Sequence, residues 1–304
     1  MRTIFFGSSS FSVPILKSIS RNTVCVVTRK SKPKGRGYTL DDNEVKRAAE
    51  EIGLPVIEID SFRDESVKLL PDHRPDIFVV ASFGLIIPKW VLDMPPQGPI
   101  NIHPSLLPLY RGPSPIQWAI LKGDETTGIT FIWMNQKMDE GDIVYQERIE
   151  IGKDEDYISL SERLSIRSAE VLPEFLGRFN GTMERSPQNH EKATYTPIIT
   201  KDMGVIDWSK TASEIHRQVR ALIAWPTAYT TFEGKLVKIF RSVIDKDRED
   251  TGPGRIWAVN KEGIYVGTGS GSLVIRELQM ENKKRMKAYD FAQGIRGLIG
   301  KSFS

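Results

Sequence analysis

Cysteine is nearly missing from this chain, with Cys25 the one thiol among 304 residues. An internal disulfide is therefore excluded, and a reducing cytoplasm fits. Cys25 lies in Thr23-Val-Cys-Val-Val-Thr28, which reads as a central strand where a lone thiol behaves as a small hydrophobe. Histidine is scarce too. Four scattered imidazoles and one thiol form no cluster with metal-ligand spacing, so no metal is expected. No apolar run approaches the length of a membrane span, and the start Met1-Arg-Thr-Ile-Phe-Phe-Gly7 enters a strand without a signal-peptide pattern. The first strand-to-helix turn, Gly7-Ser-Ser-Ser-Phe-Ser12, lacks Gly-x-Gly-x-x-Gly, and no Walker loop occurs, so a bound nucleotide is disfavoured. The Gly267-Thr-Gly-Ser-Gly271 cluster sits between strand-like segments, where glycine serves a tight turn.

What is present reads as an ordinary globular chain, 39% apolar and 27% charged, long enough for two domains. Strands are expected near Thr3 to Gly7, Thr23 to Thr28, Val56 to Glu58, Ile77 to Ala81, Pro99 to His103 and Gly128 to Trp133, with helical stretches between most of them. That alternation predicts an α/β fold, a Rossmann-like, mostly parallel sheet with helices on both faces and its ligand beyond the carboxyl ends of the strands. Ile143 to Ile149 follows Trp133 closely enough to be an antiparallel edge strand, so the loop between them carries Asp139.

Chemistry concentrates in Asn101-Ile-His103-Pro-Ser-Leu-Leu-Pro-Leu-Tyr-Arg111-Gly112 and Lys137-Met-Asp139-Glu-Gly-Asp142. On a strand, Asn101 and His103 point the same way. Acyl transfer to an amine needs donors fixed in advance for an oxyanion and a group to manage the amine proton. Asn101 supplies a neutral donor and His103 a tunable one. Asp139 could orient the imidazole and stabilise its protonated form. Singly, each has a plainer role: a turn cap, a satisfied buried histidine, the start of an Asp-Glu-Gly turn.

Together with Pro115-Ile-Gln117, Gly123-Asp124, Thr127-Gly-Ile-Thr130 and Met138-Asp139-Glu-Gly-Asp142, these residues carry a resemblance over the whole length to the methionyl-tRNA formyltransferases. The first and last of these segments are shared by enzymes that use 10-formyltetrahydrofolate, so they speak to the donor more than to the acceptor. The resemblance implies catalytic roles for Asn101, His103 and Asp139. It also implies a folate slot bordered by Phe83, Gly84, Leu85 and Ile86, by Ser105, Leu106, Leu107 and Pro108, and by the loop to Asp142. Phe83, Leu85, Ile86 and Leu106 would offer an apolar wall to a flat pterin, and Gly84 a close approach to backbone. Formyl transfer to the α-amine of initiator methionyl-tRNA, giving N-formylmethionyl-tRNA for translation initiation, is the activity implied.

The acceptor is read from basic segments. Arg29-Lys-Ser-Lys-Pro-Lys-Gly-Arg-Gly37 holds five cations and no acid, on a loop that suits an RNA phosphate backbone or simply solvent. Its Gly35-Arg36-Gly37 core resembles the family's tRNA-entering loop, which points to Arg36 first, then Lys34 and Lys32; the flanking residues differ from the usual ones. A catalytic domain over 1–183, a linker over 184–204 and a C-terminal domain over 205–304 are expected. Thr211-Ala-Ser-Glu214 is a capping-box pattern opening a helix, and short alternating runs beyond Trp225-Pro226 argue a small antiparallel barrel. The resemblance implies that this part is OB-like and binds tRNA. From Val205 onward there are 17 Lys and Arg against 11 Asp and Glu, concentrated at Lys283, Lys284 and Arg285. A solvated surface patch fits this modest excess as well as an RNA contact does; with the basic loop it favours RNA, and the resemblance implies tRNA as the partner, with no DNA and no membrane. A formyltransferase for a purine precursor or amino sugar nucleotide, a silent folate- or RNA-binding protein, and a formyl hydrolase remain as rivals.

Overall fold

A computed structural model describes residues 1–34, 39–179, 183–245 and 252–304. The chain divides into two compact units, one built from residues 1–115, 126–150 and 161–196, the other from 116–125, 151–160 and 197–304.

The first unit is laid on a seven-stranded sheet. Its strands are β1 (Thr3–Gly7), β2 (Thr23–Arg29), β5 (Val56–Ile59), β6 (Ile77–Ala81), β7 (Pro99–His103), β8 (Thr126–Trp133) and β9 (Asp142–Glu150); β3 (Lys32–Lys34) and β4 (Thr39–Asp41) form a separate antiparallel pair. The sheet order is β5-β2-β1-β6-β7-β8-β9. β1 and β6 are buried at every position, as strands covered on both faces must be. Their apolar runs explain why the expected boundaries agree with the observed ones to within a residue or two. The helices α1 (Ser12–Ser18), α3 (Lys89–Leu92) and α4 (Pro115–Lys122) are short; where a basic loop is expected after β2, the β3–β4 pair precedes α2 (Glu44–Glu51), which Asn43 caps by accepting from the Lys46 N–H.

The reversed strand at the far edge is β8, antiparallel to β7 as well as to β9, so β9 runs in the same direction as β7. This matters for the site. Trp133 at the end of β8 lies opposite Ile100, near the start of β7, so the loop carrying Asp139 leaves from the amino end of β7. The second half of α5 (Tyr157–Arg178) supports this edge: Phe175 packs edge-on against Phe131 with ring centres 5.2 Å apart, and Phe179 lies 5.9 Å from Trp133.

In the second unit, α6 (Ala212–Ala221) opens with both halves of the capping box between Thr211 and Glu214 in place. Its Ile215 and Val219, one turn apart, enter a core shared with β10 (Ala228–Phe232), β11 (Lys235–Asp245), β12 (Ile256–Asn260), β13 (Gly263–Gly267) and β14 (Ser272–Met280). The strands pair antiparallel in the order β10-β11-β14-β13-β12, with β15 (Met286–Lys287) on β14. Among the described residues no ladder joins β10 to β12, so the expected barrel is not closed strand to strand. The last residues bridge instead: Ile256 N–H donates to Lys301 at 2.8 Å, while Thr231 and Ser304 exchange backbone bonds of 2.8 and 3.0 Å. The Gly267–Gly271 cluster makes the β13–β14 turn, and a Cβ at Gly269 would sit 1.8 Å from the Ser209 carbonyl.

His216 on α6 is 5% exposed, with Nδ1 3.0 Å from Ser242 Oγ and Nε2 3.3 Å from Asp154 Oδ1. Burial, aided by Arg220 and opposed by Asp154, depresses it from 6.5 to about 4. The unfolded imidazole therefore takes up a proton in a range where the folded one does not, and stability declines as pH falls from 6.5 towards 4. The full difference is roughly 3 kcal/mol. Urea midpoints at pH 7 and pH 4.5 should separate more for the native chain than for His216→Gln; equal separations would contradict this account.

Candidate active site

β7 is short, and its pairing places the two polar side chains of interest at its middle and end: Asn101 opposite Ile132 and Val80, His103 opposite Thr130. Both reach one carboxylate. Asn101 Nδ2 donates to Asp139 Oδ1 at 3.2 Å, and His103 Nδ1 lies 3.6 Å from the same oxygen. The other carboxylate oxygen accepts from the Gly112 N–H at 2.8 Å. The side chains of His103 and Asp139 are 6% and 14% exposed, so these contacts act largely out of water.

The segment after β7 is tied to the sheet by Thr130. Its hydroxyl donates to the Ser105 carbonyl at 2.6 Å and accepts from the Leu107 N–H at 3.3 Å and from Gln146 Nε2 at 2.9 Å. Ser105 Oγ in turn donates to the Leu109 carbonyl at 2.7 Å. This folds the chain back so that the Tyr110 carbonyl meets His103 Nε2 at 2.9 Å. A carbonyl only accepts, so Nε2 carries the proton there, and in the neutral imidazole Nδ1 keeps its lone pair. A backbone carbonyl thus takes the Nε2 proton, and Asp139 faces Nδ1.

Asp139 has φ +54°, the left-handed region that a residue with a Cβ seldom adopts. Gln188 holds that loop, donating from Nε2 to the carbonyls of Asp139 at 2.8 Å and Gly141 at 2.7 Å. Its Oε1 accepts from Nε and Nη2 of Arg111 at 3.0 and 2.8 Å. Arg111 is fully buried and further engages Tyr195 Oη at 2.9 Å and Glu140 Oε1 at 3.6 Å. Burial works against the charge on Glu140, yet the Tyr195 hydroxyl with Lys137 and Arg111 holds its carboxyl below the usual range.

The chain that brings this amide, imidazole and carboxylate together has relatives among known proteins. The formyl transferase family matches residues 1–176, and its C-terminal domain matches 198–296. The methionyl-tRNA formyltransferase of Alkaliphilus oremlandii is 40% identical over 299 residues, covering 97% of this chain and 96% of that protein. That of Geobacter metallireducens is 43% identical over 298 residues, covering 96% and 95%. The chain belongs to the methionyl-tRNA formyltransferase family. In fold it is similar to HypX from Aquifex aeolicus in complex with tetrahydrofolic acid, with TM-score 0.68 at 19% identity over 99% of this chain. It spans 48% of the HypX chain, about half its length.

Against this family background, the segments read as bordering a folate slot divide. Ser105 at 0%, Leu107 at 2% and Phe83 at 3% exposure belong to the interior. Phe83 packs edge-on against Phe6 and Phe62, which corrects its place in the apolar wall: its ring already has aromatic partners. Leu85 is partly buried against the same cluster, Leu106 and Pro108 are half-buried, and Ile86 is 72% exposed. Gly84 has φ +79° in open space, and its carbonyl accepts from Arg29 Nη1 at 3.3 Å. Asp142 starts β9 opposite Trp133.

Among the basic residues, Arg36 lies outside the described residues, and Lys32 and Lys34 lie on β3. Lys283 and Lys284 are exposed and form no ion pair among the described residues. Arg285 is committed: it bonds Glu277 Oε2 from Nε at 3.0 Å and lies 4.4 Å over the Phe240 ring. Sequence reasoning missed Gln188, the Tyr110 carbonyl and the role of Arg111. The one available signal was a glutamine, Gln188, inside a segment read only as linker.

Proposed function

We infer that this chain transfers the formyl group of 10-formyltetrahydrofolate to the α-amine of initiator methionyl-tRNA, giving N-formylmethionyl-tRNA, and that it acts in the cytoplasm, where charged tRNA is found. The observation that carries the chemistry is the imidazole of His103 held between two acceptors, Nε2 2.9 Å from the Tyr110 carbonyl and Nδ1 3.6 Å from Asp139 Oδ1. In this reading Nδ1 takes the proton of the attacking amine. The imidazolium so formed then has a carbonyl on one nitrogen and a carboxylate by the other. Asn101 spends one amide hydrogen on Asp139 and has a second for the developing oxyanion. The folate supplies an activated formyl group and departs as an amine; the exposed Ile86 and the uncrowded backbone at Gly84 suit its flat ring. We assign the donor site to Gly84, Leu85, Ile86, Leu106 and Pro108, with Ser105, Leu107 and Asp142 shaping the loops around it.

We further propose a catalytic domain over 1–183, a linker over 184–204 and a tRNA-binding domain over 205–304. Lys32, Lys34, Arg36, Lys283 and Lys284 carry the phosphate contacts, supported by the basic excess of the C-terminal part; Arg285 adds less because Glu277 already compensates it. The deciding experiment gives the protein labelled formyl donor with charged initiator or elongator methionine tRNA. Label on the initiator alone supports the reading; label on a small amine acceptor or on formate would replace it with a rival. Initiator binding should also weaken on the order of tenfold or more between 50 and 200 mM salt. Lys283→Ala with Lys284→Ala should flatten that salt slope by about one unit per lysine.

A further inference from the structure

The geometry points to Gln188 as a positioning residue for Asp139, a proposal that rests on the functional reading above and assigns a task to a residue 49 positions away in sequence. Gln188 is 5% exposed, and the buried guanidinium of Arg111 fixes which way its amide faces. Two Arg111 donors converge on Oε1, so Nε2 must point to the opposite side. There it meets the carbonyls of Asp139 and Gly141, the two residues flanking Glu140. Both hydrogens of one amide thus clamp the turn at its two shoulders, and Asp139 keeps its left-handed backbone.

The direction of the Asp139 side chain follows from that backbone. Its carboxylate lands between Asn101 Nδ2, His103 Nδ1 and the Gly112 N–H. Arg111 participates twice, since its side chain orients Gln188 and the peptide just after it supplies the Gly112 N–H. Tyr195 closes the arrangement from the same segment as Gln188, accepting from Arg111 Nη1 and donating to Glu140 Oε1 at 3.1 Å. Residues 188–195 are therefore more than a tether: they brace the loop that aims the carboxylate.

Gln188→Glu tests this. The carboxylate keeps Arg111 paired and the fold intact, but it removes both donors and sets an anionic oxygen against two carbonyls. Turnover is expected to fall on the order of 10²-fold, with KM for either substrate changed by less than about twofold and a drop in unfolding temperature smaller than that of Arg111→Leu, because the buried guanidinium stays paired. In an Asp139→Asn background the same change should lower turnover less than about threefold, because a residue acting through Asp139 has nothing left to position. Gln188→Asn, one methylene shorter and uncharged, should show the same pattern if the glutamate variant folds poorly. Equal losses in both backgrounds, or native turnover in both Gln188 variants, overturn the proposal. Native turnover in Asp139→Asn alone would instead remove the functional reading, and the proposal with it.

Discussion

His103→Ala should turn over about 10³-fold more slowly than the native enzyme while still binding the folate donor. The size of the effect follows from what the imidazole touches. In the proposed mechanism Nδ1, 3.6 Å from Asp139, takes the amine proton, and Nε2 is anchored at 2.9 Å on a backbone carbonyl that survives the substitution. Removing the ring leaves the amine proton without an acceptor and leaves Asp139 without the cation it would stabilise during reaction. Donor binding survives because no donor-site residue depends on His103 for its place. The measurement is a single-turnover rate with charged initiator tRNA, set against equilibrium binding of the folate. Asn101→Ala should lose about 10²-fold, the scale of one oxyanion donor. A His103→Ala enzyme within a few-fold of native turnover would sink the mechanism, whatever its structure.

Arg111→Leu should be the most destabilising single change in the catalytic unit, by about 3–5 kcal/mol. The guanidinium is fully buried, yet its charge is answered by Glu140 at 3.6 Å and its donors by Gln188, Tyr195 and His190 Nδ1, the last at 3.1 Å. Leucine fills much of the volume but leaves Gln188 Oε1 buried with nothing to accept. The bent backbone on either side compounds the loss: Tyr110 sits at φ +62°, and Arg111 exchanges bonds of 2.8 Å with Thr194 and Thr196. For a unit of this size the expected drop in Tm is about 10 °C, read from calorimetry with the transitions of the two units treated separately. An unchanged Tm would show that the guanidinium is a passenger. The contrast with Gln188→Glu is informative, since that variant keeps the buried charge paired and should lose less stability than Arg111→Leu while still slowing turnover.

Much of this was open to reading before any coordinates. Runs such as Ile77–Ala81 are strands because nothing else buries five consecutive apolar residues so economically. Thr211 and Glu214 mark a helix start because the two side chains satisfy each other's backbone N–H groups. Less legible was the reversal of β8 against β7 near the sheet edge. The Thr126–Trp133 run is as apolar as a parallel strand, and its direction is decided only by which neighbour it reaches. Phe83 reads as a ligand wall from sequence because an aromatic in a loop after a strand has the same appearance whether or not Phe6 and Phe62 lie beneath it.

The amino-acid sequence alone determined that Asn101 and His103 share a side of one strand, since the two-residue period of extended backbone is local. It also determined that the chemistry on offer included an amide, an imidazole and a carboxylate. Tertiary structure alone decided the partners: that a Tyr110 carbonyl, not Asp139, claims the imidazole N–H, and that Gln188 reaches back to hold the Asp139 turn. Residue type states how many hydrogen bonds a group can make. Which ones it makes depends on loop closure over tens of residues, and on buried backbone carbonyls that every sequence has in equal number and only a folded chain can aim.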